Sequence, residues 1–364
     1  MMLVSIVVPR LDEKPWGGRS LERFGFDLPA ETPIGEALVT ANDARVTSGF
    51  GAGATLGEIV AGDPDTLLGP LARRAVGGRE IFPLLVKLID AAENLSIQVH
   101  PNDEEAAPLD RLGKTEAWHI LHAEPGAKLY VGLLPGVSQD AFAAAAHAMD
   151  GSSAALMRAL EPEPATTILI PAGTIHALGA GVMVYEIQQP SDVTFRIDDW
   201  GRVDAHGNPR AMHFDEGFAV TRADVRPEFL EPVRIANGIV RRSLLVATRY
   251  FGLERIDLEP GSTLDLAGNG SPQVLTVLRG NVAFAGARGT ETELLAGHSA
   301  VLWPAASDEV LTVETSAATS LLRSWVPDLQ ADIVDLARGA GATDAAIAGL
   351  GGDVPDVRNA LAGE

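Results

Sequence analysis

From about residue 237 to 326 almost every apolar segment is short and is closed by glycine, proline, asparagine or aspartate. Such a stretch cannot build long helices. It builds strands joined by tight turns, and many in a row point to a barrel or a sandwich. The first half shows the same habit less strictly. Residues 3–8 (LVSIVV) and 81–89 (IFPLLVKLI) read as buried strands, followed by SIQVHP, TEAWHILHA, AKLYVGL, TTILIPAG, GVMVYEIQ and VTFRID. Helical patterns interrupt in three places. Residues 54–78 set Leu56, Ile59, Val60, Leu67, Leu68 and Leu71 at helical spacings. Residues 138–160 are alanine-rich, open on a serine cap and close at EPEP, which predicts a helix. The tail, 327–364, carries helical pieces broken by Gly351-Gly352 and Pro355, none of them with a chemical motif.

The halves share a faint pattern. ILIPAGTIHALGAGVMVYEI (168–187) resembles ELLAGHSAVLWPAASDEVLTVET (293–315): strand, proline-containing turn, small residues, strand. The first turn contains His176; the matching place in the second reads Ala-Ser-Asp-Glu. Two similar barrels, of which one kept chemistry, would produce this pattern.

Composition narrows the function. The 28 Lys and Arg against 49 Asp and Glu leave a formal charge of −21. A nucleic-acid or anionic-membrane partner needs a basic face, so neither is expected. A phosphorylated small molecule remains compatible, because a few local cations suffice. The absence of cysteine excludes disulfides, thiolate catalysis and Cys-based zinc sites. The N-terminus has no basic region and breaks at Pro9, a poor signal peptide. No run of about 18 apolar residues is present to span a bilayer. A soluble, cytoplasmic protein is expected, as a monomer or weak homo-oligomer.

The stretch AENLSIQVHPND (91–102) carries the sharpest chemical signal. Strand side chains alternate faces, so Leu95, Ile97 and Val99 share one and Ser96, Gln98 and His100 the other. Gln98 and His100 then lie about 6.5–7 Å apart along the chain, which suits two ligands converging on one ion. Lys114 and Glu116 in GKTEAWHIL share a face for the same reason, and PAGTIH delivers His176 from a tight turn. Gln98, His100, Glu116 and His176 make a mixed nitrogen and oxygen set suited to zinc, with manganese, iron or cobalt as rivals. A lone strand histidine is more often structural, and His119, His122, His147, His206, His213 and His298 have no comparable context.

PAGTIHA matches the second cupin motif, Pro-x-Gly-x-x-His. With FPLLVKLIDAAENLSIQVHPND, GKTEAWHIL, IPAGTIHALG and EIQQPSDVTFRIDDWGR in that order, and with PWGG near 15 and IGEA near 34, the chain resembles the type I mannose-6-phosphate isomerases. The matching blocks run from about residue 5 to 326. The resemblance implies a double cupin, two jelly-roll barrels with a helical insertion. The catalytic cupin is expected over 1–135 and 161–235, the insertion over 136–160, a metal-free cupin over 236–326, and a helical or flexible tail over 327–364. It also implies one zinc per chain, held by Gln98, His100, Glu116 and His176. The family's other active-site positions fall on Lys87, Ser96, Lys114, Glu186 and Arg196. One departure is that IGEALVT lacks the aromatic residue the family usually places after this glutamate.

The implied reaction interconverts mannose 6-phosphate and fructose 6-phosphate through a cis-enediol. Its base needs a pKa near operating pH. Glu186 sits among apolar residues that raise a carboxyl pKa; an exposed strand glutamate in an ion pair is its ordinary reading. Lys114, beside a dication, is a rival proton carrier. Arg196 suits a developing oxyanion, or else an ion pair with Asp198 or Asp199. Ser96 and Lys87 are the expected phosphate-end groups; a strand hydroxyl and a snorkelling lysine are their plainer readings. Two other classes remain open: a different metal-cupin sugar-phosphate isomerase, and a non-catalytic sugar-binding cupin.

Overall fold

The structure is a computed structural model describing residues 3–203, 206–268, 270–285, 293–304 and 310–363. It is mainly β, and its strands form four sheets. A seven-stranded sheet runs Phe229–Leu230, Thr167–Ile170, Glu116–Ala123, Val182–Gln188, Leu85–Ala91, Arg10–Gly18, Ile34–Thr40. A five-stranded sheet runs Phe195–Asp198, Ile97–Val99, His176–Leu178, Leu129–Leu133, Met157–Leu160. An eight-stranded sheet is built mostly from the second half, Val233–Ala236 to Thr319–Trp325, but Val4–Val7 and Val46–Gly49 complete one edge. A four-stranded sheet holds Thr263–Ala267, Val310–Glu314, Asn281–Ala285 and Glu293–Leu295. The turn 305–309, where the second half was compared with His176, lies outside the described residues.

Apolar clusters set the stacking. Ile89, Trp118, Ile120 and Val184 of the seven-stranded sheet pack with Leu129, Val131 and Leu178 of the five-stranded one. The opposite face of the seven-stranded sheet, with Val39, Val86, Leu88 and Tyr185, meets Leu253, Val274, Val301 and Leu322 of the eight-stranded sheet. The far face of that sheet meets the four-stranded one through Leu275, Val277, Val282 and Val313. The seven-stranded sheet is therefore covered on both faces. Its strand Val182–Gln188 is buried throughout and shows no hydrophobic-polar alternation, because both faces need apolar residues.

Three sequence expectations change at their edges. The segment 54–78 is not one helix. Leu56–Gly62, opened by a capping box between Thr55 and Glu58, gives way to a second start at Asp63, whose side chain accepts from Thr66 N ahead of the helix that begins at Pro64. Gly69, at φ 68°, breaks that second helix, and a Cβ there would lie 2.1 Å from the Gly270 carbonyl oxygen. The strand expected over 81–89 begins only at Leu85. The helix expected over 138–160 ends at Ala146; a short turn, Ser152–Leu156, leads into Met157–Leu160, which is an edge strand of the five-stranded sheet. Gly151 forces the change of direction, at φ 83° and with a Cβ that would meet the Trp200 ring at 2.5 Å.

The tail folds as a wide turn, Leu329–Asp335, and the helices Leu336–Gly339, Asp344–Gly349 and Asp356–Ala362. Ile333, Val334, Ile347, Leu350 and Val357 are fully buried against Val233, Leu244, Ala247 and Trp325. No helix among the described residues is long and apolar enough to cross a membrane.

Candidate metal centre and active site

Two rows of side chains face each other between the five- and seven-stranded sheets. Directly opposed residues of an antiparallel pair leave the sheet on the same side. In the five-stranded sheet Arg196 stands opposite Gln98, Gln98 opposite His176, and His176 opposite Val131, whose side chain lies in the shared core. The neighbours Ile97 and Val99 point the other way, into a cluster covered by Phe142, Phe195 and Val220. In the seven-stranded sheet Lys87, Glu186 and Trp118 form one row, and Gln188 with Glu116 the next. The alternation read from AENLSIQVHPND thus holds, and His100 follows Gln98 into the same space.

His100, Glu116 and His176 are buried, and one ligand atom from each lies within 4.8 Å of the others. His100 Nδ1 is 2.9 Å from the Val193 carbonyl oxygen, and His176 Nδ1 is 2.9 Å from that of Thr174. Each ring therefore donates from Nδ1 and turns the lone pair of Nε2 inward, as a metal-ligating imidazole does. Glu116 brings two carboxylate oxygens, 3.5 Å from His100 Nε2 and 3.2 Å from His176 Nε2. Lys114 Nζ is 2.9 Å from Glu116, yet neither oxygen of Glu116 accepts a well-angled hydrogen bond. With one ammonium beside it and no hydrogen bond on either oxygen, this buried carboxylate is under-satisfied, and a second cation between it and the imidazoles would relieve it. Gln98 closes the set, its amide 3.3 Å from His176 Nε2, with Ser96 donating to the amide oxygen at 3.4 Å. A half-turn of the amide presents the oxygen to the same point. The donors fit one divalent ion.

Protonation states agree with that fit. Burial, reinforced by Lys114, holds His100 well below its ordinary pKa, so it is neutral. Burial alone would raise Glu116, but Lys114, His100 and His176 outweigh it and keep the carboxyl well below its usual range. Burial and the nearby Glu116 push Glu186 upward. Glu186 accepts a hydrogen bond from Trp118 Nε1 at 2.8 Å and lies 3.7 Å from Lys87 Nζ. Burial would lower Lys87; Glu186, Glu36 and Glu116 more than offset it, and its net direction is up.

Arg196 pairs with neither Asp198 nor Asp199, against one sequence reading. Asp198 instead accepts from Gly151 N and Ser153 Oγ, and Asp199 holds Arg202 and Arg210. Arg196 donates to the Ala211 carbonyl, and its Nε is buried without a partner. Arg202 and Arg210 share Asp199, and Arg196 beside them has no carboxylate partner, a local surplus of positive charge. Ser96 adjoins them, because Arg202 donates to the Asn94 carbonyl and Trp200 Nε1 to that of Leu95.

Sequence reasoning assigned no role to Trp118, Glu36 or Lys14. Glu36 extends the charge row, 3.6 Å from Lys87 and 3.1 Å from Lys14. Its signal was present: it is the one charge in IGEALVT, a strand buried along its whole length. Glu36 and Lys87 also line a cavity of about 680 Å³, together with Leu112 and Ser191.

Comparison with known proteins agrees with this geometry. A family model of the phosphomannose isomerase type I catalytic domain matches residues 6–138. YvyI, a putative mannose-6-phosphate isomerase of Bacillus subtilis (strain 168), is 32% identical over 285 residues, which cover 76% of this chain and 85% of the relative. Mannose-6-phosphate isomerase ManA of the same organism is 34% identical over 226 residues, 60% of this chain and 68% of the relative. A crystal structure of the Bacillus subtilis mannose 6-phosphate isomerase superposes with TM-score 0.74 at 27% identity, covering 88% of this chain and 99% of that one. By sequence and by fold, the chain belongs to the type I phosphomannose isomerase family of aldose–ketose isomerases.

Proposed function

We propose that this protein interconverts mannose 6-phosphate and fructose 6-phosphate, with one zinc ion per chain held by Gln98, His100, Glu116 and His176. The observation that carries the reading is the inward-facing pair of imidazole Nε2 atoms, fixed by backbone carbonyls around a buried carboxylate without hydrogen bonds. Two nitrogens with a carboxylate and an amide oxygen suit zinc in a site lacking thiolates. Bound zinc supplies Lewis-acid polarisation of the sugar oxygens.

The chain's own groups divide the remaining work. Glu186 takes the proton from C2 of the aldose and returns it to C1, while a hydroxyl proton passes from O2 to O1. Its raised pKa makes it a better base than an ordinary carboxylate, and Trp118 and Lys87 fix its two oxygens. Lys114, 3.1 Å from His100 Nε2 and beside Glu116, is the second proton carrier, placed to serve the oxygens. Arg196, opposite Gln98, meets the charge that grows on the enediolate. Lys87 and Ser96 bind substrate. Ser96 lies beside Arg202, which donates to the Asn94 carbonyl, and is the better candidate for the phosphate end, whereas Lys87 already faces Glu36 and Glu186.

In this reading the five- and seven-stranded sheets are the metal-bearing cupin, with 136–160 inserted. The eight- and four-stranded sheets are a second, metal-free cupin, and Val4–Val7 and Val46–Gly49 are lent to it. Coupled turnover of mannose 6-phosphate is the test. It is expected to disappear with a strong chelator and return with zinc. A zinc-replete preparation without turnover overturns the proposal.

A further inference from the structure

Asp103 has no part in the reaction as described, yet it collects more structural hydrogen bonds than any role in a turn requires. It follows His100-Pro101-Asn102 and opens a short helix, Asp103–Ala106. Its Oδ1 accepts from Gly113 N at 2.9 Å and from Gln189 Nε2 at 2.9 Å. Its Oδ2 accepts from the Tyr250 hydroxyl at 2.5 Å. Gln189, buried, uses its own amide oxygen to accept from Thr115 N at 2.9 Å, and its backbone N–H donates to the Thr115 carbonyl. Lys114 N donates to the Pro101 carbonyl. Lys114-Thr115-Glu116 is therefore gripped on both sides by groups that converge on one carboxylate. Gly113 is packed so closely that a Cβ there would lie 2.5 Å from Asp103 N.

Tyr250 comes from the other half of the molecule, in the turn between Val240–Ala247 and Gly252–Leu258 of the eight-stranded sheet. Arg249 donates to its hydroxyl at 2.6 Å and stacks on its ring at 4.8 Å. Arg249 N in turn donates to Asp356 in the C-terminal tail. An unbroken chain of hydrogen bonds thus runs from the tail and the eight-stranded sheet to the strand that delivers Glu116. A charged acceptor with donors on both oxygens is strong and directional. Partners that hold a ligand's orientation shape metal affinity almost as the ligands do.

We infer that Asp103 and Tyr250 are positioning residues for Lys114 and Glu116, so that the half of the molecule without the metal cluster holds the metal site in register. The inference rests on the metal reading proposed above. Zinc affinity, measured by competition with a chromophoric chelator on the full-length protein, tests it without recourse to turnover. Asp103→Asn is expected to weaken zinc binding about 10-fold to 100-fold. Tyr250→Phe, which removes one hydroxyl and leaves Asp103 in place, is expected to weaken it by several-fold. Zinc-saturated Tyr250→Phe is expected to lose kcat at unchanged KM, because Lys114 is displaced and the substrate grip is not. Val357→Ala is the comparator: it opens a cavity in the tail's core, lowers Tm, and is expected to keep wild-type zinc affinity. Wild-type zinc affinity in Tyr250→Phe and Asp103→Asn overturns the inference, as does an equal loss in Val357→Ala. A wild-type chain that binds no zinc refutes the metal reading itself, an outcome visible before any variant is made.

Discussion

Arg196→Ala separates chemistry from binding. Arg196 stands directly across from Gln98, and paired residues in such a position have Cβ atoms about 4.5–5.5 Å apart. Its guanidinium therefore leaves the sheet beside Gln98, the proposed fourth ligand, at the end of the site to which the proposal assigns C1 and C2. Burial and the neighbouring Arg210 lower its pKa, but an arginine stays charged at any working pH. The truncation removes one hydrogen bond, to Ala211, and also the buried Nε that has no partner. These effects oppose each other, so the stability cost should be no more than about 1 kcal/mol. Loss of a preorganised donor to transition-state charge costs about 10²–10³ in rate, roughly 2.7–4 kcal/mol. Steady-state kinetics on the zinc-replete variant should therefore show kcat reduced by that factor, KM nearly unchanged and metal retained. A phosphate dianion carries its charge in ground and transition states alike, so a phosphate-gripping arginine would raise KM and spare kcat. That result would refute the assignment of Arg196 to the sugar carbons.

Glu186→Gln keeps the size of the side chain and an acceptor for Trp118, but removes the proposed base. A fall in kcat of about 10²–10⁴ is expected, and wild-type turnover in the zinc-loaded variant would exclude Glu186 from proton transfer. His119 predicts a pH effect on folding: burial, with a smaller contribution from Arg255, pushes it down to about 3, and it hydrogen-bonds Thr167. A histidine kept neutral in the fold takes up a proton first in the unfolded chain, so stability is complete above about pH 6.5 and is lost by about 1.4 kcal/mol per pH unit below it. Denaturant titrations of His119→Gln should show a shallower acid slope, and an unchanged slope counts against the assignment. Deleting 331–364 strips five fully buried aliphatic side chains from the eight-stranded sheet. At about 1.5–3 kcal/mol each, that rivals the 5–15 kcal/mol stability of a whole domain. The truncated chain should be insoluble or much less thermostable, and a soluble one with wild-type Tm would contradict the packing.

Much of the site was legible because strands have a period of two. That rule alone put Gln98 with His100 and Lys114 with Glu116; in the structure Gln98 and His100 both adjoin His176, and Lys114 lies against Glu116. The groups that sequence reasoning passed over act through the backbone or through distant strands. The carbonyls of Val193 and Thr174 orient the imidazoles, and no side-chain pattern announces a carbonyl. Trp118 drew no reading from the sequence, and most of its indole is indeed core; only its Nε1 reaches Glu186. Local propensity misread Met157–Leu160, whose state is decided by pairing with Leu129–Leu133. The pairing of Val4–Val7 with Ser299–Leu302 spans nearly the full chain and lies beyond any local pattern.

The faint internal repeat acquires a chemical meaning from the strand registers. In the seven-stranded sheet Val182–Gln188 lies between Leu85–Ala91 and Glu116–Ala123; in the eight-stranded sheet Thr319–Trp325 lies between Gly252–Leu258 and Gln273–Arg279. Lys87 faces Glu186 in the first, and Glu254 faces Arg323 in the second. Gln188 faces Glu116 in the first, and Trp325 faces Gln273 in the second. The ion pair is thus reversed in sign, and the carboxylate of the candidate metal cluster is replaced by a neutral amide. Arg323 then fills the second site with its own charge, 3.1 Å from buried Glu254 and 2.6 Å from the oxygen of Gln273, and stacks 4.3 Å from the Trp325 ring. A guanidinium placed in this way gives buried Glu254 the counter-charge that a metal would give Glu116. Among the described residues the cluster of His100, Glu116 and His176 has no counterpart in the second half. The reversed pair gives the physical reason, because a dication brought there would meet a permanent positive charge in place of a ligand.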